Sequence, residues 1–324
     1  MEQVNSKCYF CGSSEKPADL ETHVDNGIEY ILHECPSCGV QYWTPFKNPG
    51  AEWYEKDERY KNANNDSVAE PTWSHKKIIS FLAPLRGRVF DVGCGTGNFL
   101  RWAKLKGWDV AGIDFDSNAI NSAKNKFLLP NIELAALGDY VKNHGDEKFD
   151  LVTFFDVFEH IDDHHEFLQQ VRGLLKSGGY IAMSMPYRLG SRWLQPGDLP
   201  PRHLTRWDDA SLKNFLEKNG FGVEYTKRIP APFFYIVMKL RFKYGSIFSF
   251  GLVNKARKVQ NDNLKNDNFG QKRSDESFKI RIIHFLAKIK DMVIFGIPAL
   301  FVWLYFLPSP KRYTGLFVIA RKKD

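Results

Sequence analysis

Two groups of residues in this sequence are of types that do chemistry. Four of the five cysteines come as matched pairs, Cys8/Cys11 and Cys35/Cys38, each spaced C-x2-C and each followed by a glycine, Gly12 or Gly39. A tight turn of this kind aims two thiolates at one point, and glycine tolerates its backbone. Two such turns held together by a short sheet make a closed tetrahedral site of four sulfurs, the donor set of structural zinc (Zn2+). Four protein ligands leave no position open for a substrate. The second group is Asp91-Val-Gly93-Cys94-Gly95-Thr-Gly97, followed further on by Asp114. Its glycines let the backbone pass close to a ligand, and Asp114 is placed to accept hydrogen bonds from both hydroxyls of a ribose. The turn reads G-x-G-x-G, whereas the dinucleotide fingerprint is G-x-G-x-x-G. The carboxylate of Asp91 beside that turn repels a pyrophosphate and suits a cation that carries an ammonium and a sulfonium.

These residues need elements to position them. Val89 to Val92 reads as a buried strand leading into the turn, and Asn98 to Lys106 as the helix leaving it. Asp109 to Asp114 reads as a second strand and Ile132 to Ala135 as a third, which runs into a turn at Leu137-Gly-Asp139. Lys148 to Asp156 is a near-continuous apolar run, the pattern of a central parallel strand. Ligands of such sheets lie beyond the carboxyl ends of the strands, where Asp156, Glu159 and His160 stand. A helix from His164, a strand from Tyr180 to Met185, a helix from Asp208 to Asn219 and a strand from Gly222 to Arg228 follow. Gly315 to Ala320 reads as the last strand.

The run from Asp91 to Gly97 resembles motif I of the class I S-adenosylmethionine (SAM, S-adenosyl-L-methionine)-dependent methyltransferases. The stretch "FDVFEHIDD…LLKSGGYIAMSMP" looks like the fourth and fifth strands of the same family. Its Glu159-His160 pair also resembles a motif of the ubiquinone-pathway O-methyltransferases. The cysteine pairs, the following "GVQYWTP", Trp53-Tyr54 and Tyr60 are together similar to bacterial methyltransferases often found with polysaccharide genes. The resemblance implies a doubly wound α/β fold, a seven-stranded Rossmann-like sheet whose last strand is antiparallel. It implies SAM as donor, with Asp91, Gly93, Cys94, Gly95 and Gly97 around the methionine end. Asp114 falls to the ribose, Asp139 to the adenine amino group, and Asp156 to the methionine end or the acceptor. A hydroxyl acceptor must lose a proton near the transition state, and histidine is the natural base at neutral pH. His203 is the expected base or acceptor contact. His160 is the second candidate, with a structural reading preferred for it. Trp73 and His75 are placed to roof the site.

Five segments result: a zinc ribbon at 1–45, a helical linker and roof at 46–85, the core at 86–229, an insertion at 230–312, and the last strand at 313–324. The net charge of +7 is uneven, because residues 230–312 hold 15 Lys/Arg against 5 Asp/Glu. That segment is also apolar. Pro230 to Val253 is aromatic, Asn254 to Ser277 polar, and Phe278 to Lys290 reads as a basic amphipathic helix. Met292 to Leu307 carries no charge but is shorter than the roughly 20 residues of a membrane span. Strands on either side of the insertion share a sheet, which excludes a lone crossing. A membrane surface, a homodimer face, a lid or plain packing on the core remain open for it. The amino terminus lacks the apolar run of a signal peptide, so the expected place is the cytoplasm or the inner face of its membrane. The expected reaction is O-methylation of a cell-surface glycan, its lipid-linked precursor or another lipid-like acceptor. The alternative is a zinc-containing RNA methyltransferase. Nucleic acid is the weaker partner, because the zinc segment carries few basic residues. A SAM-sensing protein without activity fits least well with both Asp91 and Asp114 in place.

Overall fold

The computed structural model describes residues 7–50, 53–54, 70–83, 87–248 and 293–324. The chain forms two compact units, one of residues 1–229 with 314–324 and one of residues 230–313.

In the first unit the amino-terminal strands are β1 (Ala18–Asp25), β2 (Ile28–Glu34) and β3 (Gln41–Thr44). β1 and β2 are an antiparallel hairpin closed by Asn26-Gly27, both at positive φ, the pair that suits the right-handed twist of a two-residue hairpin turn. β3 pairs antiparallel with β2.

The core contains β4 (Arg88–Val92), β5 (Asp109–Asp114), β6 (Ile132–Leu134), β7 (Phe149–Phe155), β8 (Leu175–Met185), β10 (Phe221–Pro230) and β11 (Tyr313–Lys322). Helices α1 (Trp73–Phe81), α2 (Asn98–Leu105), α3 (Ser117–Phe127), α4 (Leu137–His144), α5 (His164–Leu174) and α6 (Asp209–Lys218) alternate with them. The strand order is β6-β5-β4-β7-β8-β11-β10. β5, β6, β7 and β8 join β4 in parallel, and β11 runs antiparallel to β8. Chain direction across the sheet reverses between β4 and β7. A crevice opens at such a switch point beyond the strand ends. The apolar stripes of α1 (Ile78, Ile79), α2 (Phe99, Leu100, Ala103) and α3 (Ile120, Ala123) bury against Val89, Val110, Leu151 and Phe317 in one cluster. Capping fixes where helices begin: Asp208 bonds the backbone of Ser211, and the Ser211 hydroxyl returns to the backbone of Asp208.

A short strand, β9 (Thr205–Arg206), does not enter the seven-stranded sheet. It pairs antiparallel with β3, Gln41 opposite Arg206 and Tyr42 opposite Thr205. The amino-terminal sheet is therefore completed by a loop of the core.

The second unit holds α7 (Phe233–Phe248) and a helix α8 described over 293–306. Its two ends meet, since the Ala231 amide donates to the Arg312 carbonyl at 2.8 Å. Among the described residues no helix is long and apolar enough to cross a membrane. The polar stretch Asn254 to Ser277, the expected amphipathic helix Phe278 to Lys290, and Tyr60 lie outside the described residues.

Candidate functional site

The turn after β4 is shaped by positive-φ glycines. Gly93 has φ +73°, and a Cβ there would stand 2.6 Å from Cγ2 of Val157; Gly97 has φ +77°, and a Cβ there would stand 2.6 Å from Cδ1 of Leu129. A side chain at either place would be both strained and crowded. Asp114 ends β5 and ties the turn down. Its two oxygens accept from the Gly95 amide at 2.7 Å and the Asp116 amide at 2.9 Å. Each oxygen keeps a lone pair for a further donor. Asp91 is buried one position before the end of β4, where the Thr153 hydroxyl donates to it at 2.6 Å.

A cavity of about 510 Å³ opens beyond β4, β5 and β7. Gly93, Gly95, Asp114 and Phe115 form one wall, and Asp156, His160 and Arg202 stand on another. Asn48 and Tyr54, from the segment after the ribbon, also line it. They are fastened there: the Asn48 side chain donates to the His160 carbonyl at 2.7 Å, and the Tyr54 hydroxyl lies 3.1 Å from His160 Nδ1.

Carboxylates dominate the electrostatics. Burial pushes Asp91 up to about 8, against the Thr153 hydrogen bond and with help from the charge of Asp114. Burial likewise raises Asp114, although backbone amides oppose it. Asp156 is raised by burial against the Ser184 hydrogen bond. Three carboxyls held above their ordinary range in an apolar crevice form a site that a cation relieves. Asp156 is also strained: it has φ +54° without being glycine. Its amide donates to the Ser184 carbonyl at 2.7 Å, and the Ser184 hydroxyl donates to its Oδ1 at 3.2 Å. A left-handed non-glycine residue costs on the order of 1–3 kcal/mol, and such strain concentrates at functional positions.

The expected site residues separate into those on the cavity and those off it. Gly93, Gly95, Asp114, Asp156 and His160 line it. Asp91, Cys94 and Gly97 lie behind that wall, with Asp91 and Cys94 buried. Asp139 is displaced. The expected turn is the first turn of α4, where Asp139 is exposed and pairs with Lys142 at 3.6 Å; Ala135, Ala136 and Leu137 line the cavity instead. Leu137 and Tyr140, buried one turn apart, explain why helix wins there. The two histidines exchange places. His160 faces the cavity, while His203 is buried behind it, ring against ring at 4.8 Å, with Nδ1 on Asp198 at 2.9 Å. Trp73 and His75 do not form the roof. Trp73 packs on Phe317, and His75 on Phe99 and Phe155.

Asp198 is a site residue the sequence did not reveal. Burial alone would raise its carboxyl; the His203 hydrogen bond and the charge of Arg206 outweigh this and hold it below its ordinary value. Arg206 pairs with Asp198 at 2.9 Å and with Glu21 of β1 at 2.6 Å. His203, His160 and Glu159 bring donor atoms within 4.8 Å of one another, a spacing that one divalent ion spans. Glu159 is pushed well up by burial, and its Oε2 has no hydrogen-bond partner among the described residues.

At the other chemical centre, Cys8 and Cys38 have their sulfurs 3.9 Å apart, and Cys11 and Cys35 3.7 Å. All four lie within 4.8 Å of each other. Metal–sulfur bonds of about 2.3 Å set tetrahedral edges of about 3.8 Å, so the donors fit a zinc-sized ion.

Residues 69–226 match a family model described as a methyltransferase domain. This chain is a SAM-dependent methyltransferase. The ubiquinone biosynthesis O-methyltransferase of Proteus mirabilis is 23% identical over 202 residues, 56% of this chain and 80% of that protein. The protein of the same name from Pectobacterium atrosepticum is 28% identical over 167 residues, 51% of this chain and 68% of its own. Among solved structures, a SAM dependent methyltransferase from Archaeoglobus fulgidus covers 76% of this chain and 90% of its own, at 21% identity and a TM-score of 0.46. The matched residues of the methyltransferase run from before α1 into β10. They leave out the ribbon and the second unit.

Proposed function

We propose that this methyltransferase moves the methyl group of SAM to an oxygen of a cell-surface glycan, its lipid-linked precursor or another lipid-like acceptor. The observation that carries the reading is the cavity with Asp114 and Asp156 on its walls and Asp91 beneath. SAM supplies a methyl group on a positively charged sulfur. Asp114 would take the ribose hydroxyls, the Gly93–Gly97 bend the methionine end, and Asp91 would act from beneath the bend as a counter-charge. The largely apolar wall suits an apolar or lipid-attached acceptor. Asp156 and His160 are the groups on that wall able to orient an acceptor hydroxyl or take its proton. His203 supports His160 from behind and is itself oriented by Asp198. Holding donor and nucleophile in line supplies much of the rate in such displacements.

The four cysteines hold one zinc ion in this reading, with a structural role. The ion fixes the ribbon, and the ribbon fixes the site. The Trp43 amide donates to the Leu204 carbonyl at 2.9 Å, and the Leu204 amide to the Glu159 carbonyl at 2.8 Å. Backbone hydrogen bonds thus run from beside the second cysteine turn to the wall that carries His160.

Calorimetry with SAM and with S-adenosylhomocysteine tests the donor site. Asp114→Ala should weaken SAM at least a hundredfold; unchanged affinity overturns the ribose assignment. Labelled SAM incubated with lipid, glycan and RNA fractions tests the acceptor. Label in lipid or glycan supports the reading, and label confined to RNA replaces it with the nucleic-acid alternative. Metal analysis of the purified protein should give about one zinc per chain.

A further inference from the structure

The second unit presents an apolar surface where a water-exposed helix would be polar. On α8, Phe295, Ala299 and Phe306 are buried. The opposite side carries Val293, Ile297, Leu300, Phe301, Leu304 and Tyr305, all exposed, and Phe301 is 68% accessible. Their spacing, at steps of three and four, places them along one stripe of the helix. α7 adds Phe242, exposed to 83%. Residues 293–307 contain no charged side chain, and polar atoms come only from Trp303 and Tyr305. Helices that face water carry polar residues on that face, and contiguous apolar patches of this kind mark a surface that something covers.

Charge says what covers it. The described part of the unit contains Lys239, Arg241, Lys243, Lys311 and Arg312 and no Asp or Glu. Lys311 and Arg312 follow directly on the end of α8, and Lys239 and Lys243 lie one turn apart on α7. Among the described residues, a unit that combines an exposed apolar stripe with cations and no carboxylate is complementary to a bilayer surface, with acyl chains for the stripe and anionic headgroups for the lysines and arginines. A folded protein partner would meet a helix side that offers almost no directional hydrogen bonds. A spanning mode does not apply to the described helices, since none is long and apolar enough.

We infer that the second unit is an interfacial docking device, in which the exposed stripe of α8 enters the headgroup boundary of an anionic membrane. This goes beyond the methyl-transfer reading and does not depend on the acceptor. The full chain would be sedimented with phosphatidylcholine vesicles with and without phosphatidylglycerol. It should bind the anionic vesicles, and the double variant Leu300→Glu, Phe301→Glu should bind them at least tenfold more weakly. Lys239→Ala and Lys243→Ala should each lower binding about fivefold, and salt should weaken what remains. SAM affinity measured on the same variants should be unchanged, which shows that the core is intact. Recovery of the wild type in the supernatant with both vesicle types overturns the inference. So does a dimer in light scattering that the double variant converts to monomer, since a second copy would then cover the stripe.

Discussion

The ribbon and the second unit are both additions to the matched methyltransferase core, and they are built on opposite terms. The ribbon leaves Leu20, Val24 and Ile28 exposed on its hairpin, yet its largest aromatic side chains are locked into the first unit. Phe10 is 2% exposed and packs edge-on against Trp207 and Phe215, while Trp43 is fully buried under the guanidinium of Arg206. The second unit is richer in apolar residues and leaves many of them exposed. Hydrophobic content alone therefore does not fasten the ribbon. Shared backbone pairing and buried charge do: β9 completes the ribbon's sheet, and Arg206 reaches both Asp198 and Glu21. One module belongs to the architecture of the active site, and the other presents an exposed apolar surface of its own.

The sharpest test removes each module in turn. Chelation or Cys35→Ser takes away a metal whose binding contributes roughly 10 kcal/mol or more to folding in comparable small sites. The ribbon should then unravel, and acceptor turnover should fall about a hundredfold or more through misplacement of His160, with a smaller loss in SAM affinity. Replacing residues 231–312 by a short glycine-serine link should leave SAM affinity and the core's melting temperature as they are, because the two ends already meet. Calorimetry, radiolabel transfer and thermal melts read these outcomes. Equal damage from both operations would erase the distinction.

A narrower cut falls on Arg206. Arg206→Ala leaves Asp198 buried without its cation, which costs about 3–5 kcal/mol for a pair of this kind. Thermal melts should drop accordingly, and methyl transfer should fall further than SAM binding because the His203 contact loosens. A melting temperature within a degree of the wild type would mean that ribbon and core are joined by backbone pairing alone.

Asp91 belongs to neither module and calibrates both. Its carboxyl sits at about 8 in the folded, ligand-free protein against about 3.9 when unfolded. A buried acid of this kind favours the protonated fold. Its cost is absent below the unfolded value, grows as pH rises between the two, and is complete above pH 8. Asp91→Asn keeps the acceptor oxygen for Thr153 and removes the titration. It should therefore stabilise the ligand-free protein at pH 7, on the order of 1–4 kcal/mol, while SAM affinity collapses. In the wild type, SAM binding should weaken as pH falls below 8, by up to about tenfold per unit, with protons released on binding. Affinity that is flat from pH 6 to 9 would remove Asp91 as the counter-charge.

Much of this layout is legible in the amino-acid sequence. Short apolar runs and glycine spacing place β4, β5, β7 and the bend between β4 and α2, since those strands are largely buried on both faces and their signals are local. The cysteine pairs predicted a convergence that the sulfur spacings bear out. What stayed hidden depends on distant partners. β9 is two residues long and has no period of its own. Asp198 sits in Gln195-Pro-Gly-Asp-Leu-Pro-Pro, which reads as a turn until Arg206 and His203 close on it. Asn48 and Tyr54 reach the cavity through the ribbon's fold; Tyr54 belongs to the resemblance without a role attached to it, and no motif announces Asn48. Which of His160 and His203 faces the cavity is likewise a matter of packing: the resemblance favours His203, and His160 is the one in the lining.

The smallest expected effect is the most telling for the second unit. Phe295 and Phe301 are the same residue type on the same helix, 4% and 68% exposed. Phe295→Ala should cost about 3–5 kcal/mol by opening a cavity. Phe301→Ser removes no buried contact and should change stability in water by less than about 0.5 kcal/mol. A side chain that contributes nothing to the fold, yet repeats along a whole helical stripe, is placed there for something outside the chain. Limited proteolysis and thermal melts of the two variants decide it. A large loss from Phe301→Ser would show that the stripe is internal packing, and the contrast between the ribbon's buried anchors and the second unit's exposed stripe would fail at its weaker half.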